Sequence, residues 1–200
     1  MSFPTIVLCT LLLSLYCHVC PTFALWPVPR NLATGNSYIR LHHSFQVVLD
    51  VDPSLPPYDL VDAVKRMENH IRTDGHQRLA VKRGTQDRPA LASAPPLQLL
   101  RVHVDHDDAN EIDSISAEAT KDVTRRREGY SLYIPSEEGA EAIINAESAL
   151  GALRGLTTFS QFWYDDGTGV VYAFEAPIEI REDRPAFVGS PIASSQCTDC

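Results

Sequence analysis

The sequence predicts an α+β domain in which a mostly antiparallel β-sheet carries two helices on one face. Two observations predict it. Extended and helical runs follow one another as strand, helix, strand, strand, helix, strand, strand. Each helical run has a single apolar stripe, which is what a helix needs to cover one face of a sheet.

The elements follow in chain order. Leu25-Trp-Pro-Val-Pro29 is extended, because its two prolines block a helix. Gly35-Asn36 reads as a turn. Phe45 to Asp52 is rich in β-branched residues and reads as the first strand, ended by Pro53, Pro56 and Pro57. Leu60, Val64, Met67 and Ile71 then recur at i, i+4, i+7 and i+11, the stripe of an amphipathic helix that stops at Gly75. His76 to Pro96 is polar and proline-bearing and reads as a surface loop. In Leu97 to Val104, Leu100, Val102 and Val104 alternate with Arg101, His103 and Asp105, a strand with one apolar and one wet face. Asp107 to Glu128 is charged and reads as a loop, and Gly129 to Pro135 as a short aromatic strand.

A long helix is expected from Ser136, as N-cap, to about Trp163. Ala142, Ala146, Leu150, Leu153, Thr157 and Phe159 or Ser160 form its inward stripe. Gly151 and Gly155 lie four apart on one side of it, each costing about 1 kcal/mol against Ala. Close approach of another backbone is the expected compensation. Asp165 to Gly169 is a turn, and Val170 to Phe174 and Ile178 to Ile180 are closing strands.

The ends of the chain differ from this domain. Met1 to Ala24 contains no charged side chain, and Ile6 to Val19 is nearly all apolar. With Thr22-Phe-Ala24 behind it, this is the form of a secretory signal cleaved after Ala24, and the run is short for a bilayer span. The domain is expected over 25–187, with 188–200 as a disordered tail. The expected location is the secretory route, outside the cell or in a vacuolar or lysosomal lumen. Three of the five cysteines, Cys9, Cys17 and Cys20, fall within the signal. Cys197 and Cys200 form a C-x-x-C without a following helix or two further zinc ligands, so neither a redox nor a zinc site is assigned to them.

The net charge of −9 and pI near 5.2 argue against nucleic acid or an anionic membrane as partner, since phosphates need a basic face. Arg125-Arg126-Arg127 reads as part of a solvated loop. His103, Asp105 and His106 invite a metal, yet metal ligands must converge from several elements, and the wet face of a strand is the plainer account. His42-His43 reads as surface. Glu137 and Glu138 are adjacent carboxylates at a helix start, where they serve the helix dipole rather than the two-sided geometry of glycoside hydrolysis. Arg154 has two readings, a partner for a carboxylate outside this domain or a cap on its own helix surface. No catalytic, cofactor-binding or metal-binding residue is assigned, and no cofactor is expected.

Two stretches carry a resemblance. Glu128-Gly-Tyr-Ser-Leu-Tyr-Ile134, followed by Gly151-Ala-Leu-Arg-Gly-Leu-Thr-Thr-Phe-Ser-Gln161, closely resembles a paired segment of eukaryotic-type β-N-acetylhexosaminidases, glycoside hydrolase family 20. The main departure is Thr157, where the family has an acidic residue. Leu25 to Pro29 looks like the opening of their mature chains, and Pro177 to Ile180 with Arg184 to Phe187 like the bridge into their catalytic barrel. The resemblance implies the amino-terminal, non-catalytic domain of such an enzyme, a sheet with two helices docked on a TIM barrel. After Phe187 the family pattern is lost, and no Asp-Glu dipeptide occurs in the chain, so the catalytic pair has no counterpart here. The expected role is therefore that of a docking module, truncated before the barrel and inactive alone. Its partner would be a family-20 barrel, with self-association through the uncovered surface. Phe159, Phe162, Trp163, Ile178 and Phe187 are the expected contributors to that surface. The alternative is a free-standing module binding amino sugars such as chitin, with Trp26, Trp163, Tyr164 and Tyr172 as candidate rings.

Overall fold

The computed structural model describes residues 25–51 apart from Pro27, and residues 55–76, 83–105 and 112–183. The expected signal, the bridge from Arg184 to Phe187 and the tail lie outside the described residues, as does His106.

Among the described residues six strands and four helices form an α+β unit: β1 (Leu32–Asp50), α1 (Tyr58–Thr73), α2 (Arg83–Leu91), β2 (Pro96–Val104), α3 (Ile115–Thr120), β3 (Tyr130–Ile134), β4 (Ala142–Ala146), α4 (Ala149–Ser160), β5 (Tyr164–Asp165) and β6 (Val171–Asp183). The strands make one sheet in the order β1-β2-β4-β3-β6-β5, with a further pairing of β1 to β6. The sheet is mixed, mostly antiparallel as expected but not wholly so: four of the six strand pairings among the described residues are antiparallel. The β1–β2 and β2–β4 pairs are parallel, at one end of the strand order. Parallel neighbours need long crossovers, and the segment carrying α1 and α2 supplies the one between β1 and β2.

The first strand is far longer than its sequence suggests. Its first half pairs with β6, from Leu32 against Ile180 to Arg40 against Tyr172. Its second half pairs with β2, up to Asp50 against His103. Gly35-Asn36, expected as a turn, lies inside β1 where the register to β6 shifts. Gly35 is required there by space, since a Cβ would lie 2.4 Å from the Ala176 carbonyl oxygen of β6.

The single helix expected over 136–163 is instead a turn, a strand and a helix. Ala142, Ile144 and Ala146 are buried and alternate with Ile143 and Asn145, a period of two. They pair in parallel with β2 and antiparallel with β3. Ser148, not Ser136, caps the helix, its hydroxyl accepting from the Gly151 N–H at 3.2 Å. The two expected loops also contain helices: α2 lies within the first, and α3 and a 3₁₀ turn at Val123–Arg125 within the second. Ser114 caps α3 through the Ala117 N–H at 3.0 Å.

Glycine lets α4 lie on the sheet. A Cβ at Gly151 would be 2.5 Å from the Gly129 carbonyl oxygen, and one at Gly155 would be 2.8 Å from Ile144 Cγ2. The close backbone approach expected at both glycines is present at Gly151, against the entrance to β3, whereas Gly155 meets the side chains of Ile144 in β4 and Tyr130 in β3. On its other flank α4 packs against α1 and α3. The α1 stripe of Leu60, Val64, Met67 and Ile71 is buried as expected, and so are Leu97, Leu100, Val102 and Val104 of β2. Each such side chain, fully buried, contributes roughly 1.5–3 kcal/mol, so this core rests on hydrophobic burial. Among the described residues no helix is long and apolar enough to cross a membrane.

Candidate docking surface

The aromatic end of α4 was the expected docking surface, and the structure overturns that. Phe159, Phe162, Trp163 and Ile178 are 0–3% exposed. Phe159 stacks on Phe45 with ring centroids 6.0 Å apart and meets Trp163 at 5.4 Å. These rings close the core between α4 and the second half of β1, which sequence reading had treated only as a short strand. Phe187 lies outside the described residues.

Two open features stand near α4. One is a groove of ≈ 290 Å³ between α1 and α4. Met67 and Leu156 lie at its buried base, and Arg66, His70, Leu153, Thr157 and Ser160 line it with them. The other is Trp26, 81% exposed and yet tightly held. The Gln161 side chain accepts from the Trp26 N–H at 2.7 Å and donates to the Trp26 carbonyl at 2.9 Å. Gln161 follows α4 directly and donates also to the Thr157 carbonyl at 3.3 Å, so the clamp stands at the groove's end. The sequence contained a signal for this, since Gln161 closes the second resemblance stretch and Trp26 lies in the resembling segment Leu25 to Pro29, but nothing in the sequence joined them across 135 positions.

Polar residues singled out in the sequence serve the fold. Arg154 pairs with Glu128 of its own chain, with Nε and a terminal nitrogen each 3.3 Å from Oε2. His103 stands half-exposed between Asp50 and Asp105, at 3.8 and 3.5 Å. Glu137 and Glu138 sit in a turn rather than at a helix start. His42 is set beside His43 with ring centroids 4.0 Å apart. Loss of hydration there lowers the His42 pKa, and His43 and Arg40 lower it further. The buried Glu118 accepts from Lys121 at 2.7 Å and from the Arg127 N–H at 2.8 Å, so Arg127 takes part in tying down its segment.

Two buried aspartates were missed. Asp87 of α2 accepts from the hydroxyls of Tyr38, at 3.0 Å, and Tyr172, at 2.7 Å, which fastens α2 to β1 and β6. Asp166 accepts from Thr168, Val170 and Arg88. Burial pushes its carboxyl pKa up, but these hydrogen bonds outweigh burial and hold it below the ordinary value.

A second depression, of ≈ 500 Å³, lies on the outer side of the sheet around Ser131, Tyr133, Asn145, Glu179 and Arg181. Arg181 and Glu179 are paired through two hydrogen bonds of 2.7 and 3.0 Å, which raises the arginine pKa and lowers the glutamate's. Of the rings proposed for sugar stacking, Trp163 and Tyr172 are buried. The exposed aromatic rings among the described residues are Trp26, Tyr58 and Tyr133, on separate elements. Among the described residues His70, Asp74 and His76 form the one group of metal-capable side chains whose ligand atoms lie within 4.8 Å of one another.

The mixed six-stranded sheet with its glycine-seated helix defines an α+β module. Residues 25–162 match the family described as beta-acetyl hexosaminidase like, and the chain belongs to that family, as a domain of the amino-terminal, non-catalytic kind found in glycoside hydrolase family 20. Over 82 residues it is 38% identical to a beta-hexosaminidase subunit beta from Sus scrofa, spanning 41% of this chain and 13% of that protein. The chitobiase of Flavobacterium johnsoniae has a similar fold, with a TM-score of 0.52, 22% identity, and coverage of 82% of this chain and 21% of that one. The chain thus spans about one-fifth or less of the length of these relatives.

Proposed function

We propose that this chain is a secreted structural module that docks on a family-20 catalytic barrel and has no hydrolase activity alone. In this reading α1 and α4 cover one face of the sheet, and the groove between them with Trp26 at its end is the surface that meets the barrel. Trp26 is the observation that carries the reading. A tryptophan left four-fifths exposed would ordinarily be mobile, but here both backbone polar groups are clamped by Gln161. An exposed indole on a backbone already held, beside an apolar-floored groove, gives up only its side-chain freedom on binding, which suits an interface anchor. The relatives' names place hydrolysis of amino-sugar linkages in proteins several times longer than this chain. The secretory signal expected at Met1 to Ala24 places the module on the same route as its barrel.

A free-standing amino-sugar-binding module is the weaker account, because a polysaccharide needs aligned rings and the exposed rings here stand on separate elements. The test is co-purification. The chain is co-expressed with the barrel region of a family-20 enzyme lacking its own amino-terminal domain, and both are followed through size exclusion. A stable one-to-one complex is expected, with turnover of a chromogenic N-acetylglucosaminide in the complex and none in the chain alone. Turnover by the chain alone, or separate elution of the two, overturns the proposal.

A further inference from the structure

We propose that His70, Asp74 and His76 form a binding site for a divalent transition-metal ion of the zinc type. Nothing in the family reading calls for it. His70 and Asp74 stand one helical turn apart at the carboxyl end of α1, so both lie on one side of the helix. Nδ1 of His70 is 2.7 Å from Oδ2 of Asp74. The helix then stops, and Gly75 adopts φ +53°, the left-handed conformation that glycine enters without a Cβ penalty. That turn brings Nε2 of His76 to 3.6 Å from the same carboxylate oxygen.

The third ligand is held in place by the backbone. The His76 carbonyl accepts from the Asp165 N–H of β5 at 2.7 Å, which ties the residue after the turn to the sheet. The two imidazoles meet edge to face, with centroids 5.5 Å apart and planes at 67°, so their ring nitrogens converge on Asp74 without stacking. Zinc bound by imidazole nitrogen and carboxylate oxygen at about 2.0–2.1 Å in a tetrahedron needs ligand atoms roughly 3.3 Å apart. The observed 2.7 and 3.6 Å bracket that spacing, and all three ligand atoms lie within 4.8 Å of one another.

The donor set also selects the ion. Two imidazoles and one carboxylate suit zinc and its neighbours in the first transition row, whereas calcium and magnesium demand oxygen. Three protein ligands leave a fourth position for water or for a side chain of another protein. All three side chains are open to solvent, 37–63% exposed, so an ion can enter without any rearrangement of the core. His70 also lines the groove between α1 and α4, which puts the site at the rim of the proposed docking surface.

The test is calorimetric titration of the full mature chain, free of any histidine tag, with Zn²⁺ alone. Cys197 and Cys200 are themselves potential zinc ligands, so the parent for the series carries Cys197→Ser and Cys200→Ser. One equivalent of zinc is expected to bind this parent. His70→Ala and His76→Ala should each weaken binding by at least about tenfold, since even an outer-shell partner of a metal ligand is worth roughly 10–100-fold. Melting in the presence of a chelator should be the same for parent and variants, which shows that the variants are folded. Cobalt substitution should give visible bands of a tetrahedral nitrogen and oxygen site, with no thiolate band. Absence of binding to the parent at millimolar zinc, or binding that both histidine substitutions leave unchanged, overturns the proposal. It does so independently of the docking reading, because no barrel is present.

Discussion

Replacing Gly151 with alanine inverts the usual rule for helices, and the structure gives the size of the effect. At an open helical site the change stabilises by about 1 kcal/mol, because alanine has the better propensity and loses less backbone entropy. Here the new methyl carbon would sit 2.5 Å from the Gly129 carbonyl oxygen, with Ala146 Cβ 3.5 Å away. The oxygen is backbone at the entrance to β3, and it accepts the Glu147 N–H at 3.0 Å. It cannot swing aside as a side chain could. Either α4 withdraws by roughly 1 Å to reach an ordinary van der Waals distance, or the Gly129–Glu147 bond breaks. Withdrawal loosens Leu156 and Phe159, which are 1% and 0% exposed in the core. Overpacking of this kind costs typically 1–3 kcal/mol, and against a backbone oxygen that cannot move the upper part of that range, about 2–3 kcal/mol, applies and exceeds the propensity gain. The expected net loss is about 1–2 kcal/mol, or roughly 2–8 °C of melting temperature for a domain of this size. Thermal unfolding followed by circular dichroism reads it. An unchanged or higher melting temperature would mean that α4 is not seated on the sheet as described.

Gly155→Leu should destabilise for a related reason, since its Cβ alone would approach Ile144 Cγ2 to 2.8 Å and the rest of the side chain would have to displace Tyr130 or Ile144; a stable variant with native melting would refute this contact. Asp166 makes stability depend on acid. Its folded pKa lies below the ordinary 3.8, so its contribution is full above that value and is lost as pH falls through the folded pKa. Asp166→Asn should therefore be less stable than wild type near neutrality, and the gap should narrow below about pH 4 in urea titrations; a gap independent of pH contradicts the assignment. Tyr172→Phe should cost about 1–3 kcal/mol by leaving the buried Asp87 with one phenol fewer, read as a lower urea midpoint; an unchanged midpoint would show that α2 is held by other contacts.

How much of this was legible in the sequence depended on whether local pattern and tertiary pairing agreed. The α1 stripe and the alternation in β2 were read as they stand, because each faces one core with one period. Ala142 to Ala146 was misread because five residues of alanine, isoleucine and asparagine fit a helix turn as well as a buried strand, and only the pairing with β2 and β3 decides between them. The first half of β1 escaped notice for a different reason. Gly35 signals a turn locally, whereas its role is to admit the Ala176 carbonyl of a strand far along the chain. Parallel pairing of β1, β2 and β4 leaves no local mark beyond crossover length, so the mostly antiparallel sheet was legible but its parallel strands were not. The aromatic end of α4 was assigned to a partner because nothing in the sequence showed that Phe45 lay opposite Phe159. The Trp26 clamp and the cluster of His70, Asp74 and His76 were invisible for the same reason, since each depends on a backbone path that folding alone creates.

The central claim is that this domain docks on a barrel through Trp26 and the groove beside it. The direct measurement is the affinity of the chain and of its Trp26→Ala variant for the barrel region of a family-20 enzyme, by titration calorimetry under one salt condition. The account predicts binding of the parent and a loss of at least about 2 kcal/mol, close to thirtyfold, in the variant, with both proteins melting alike. Equal affinities would contradict the assigned surface, and no affinity of either protein for the barrel would contradict the docking role itself.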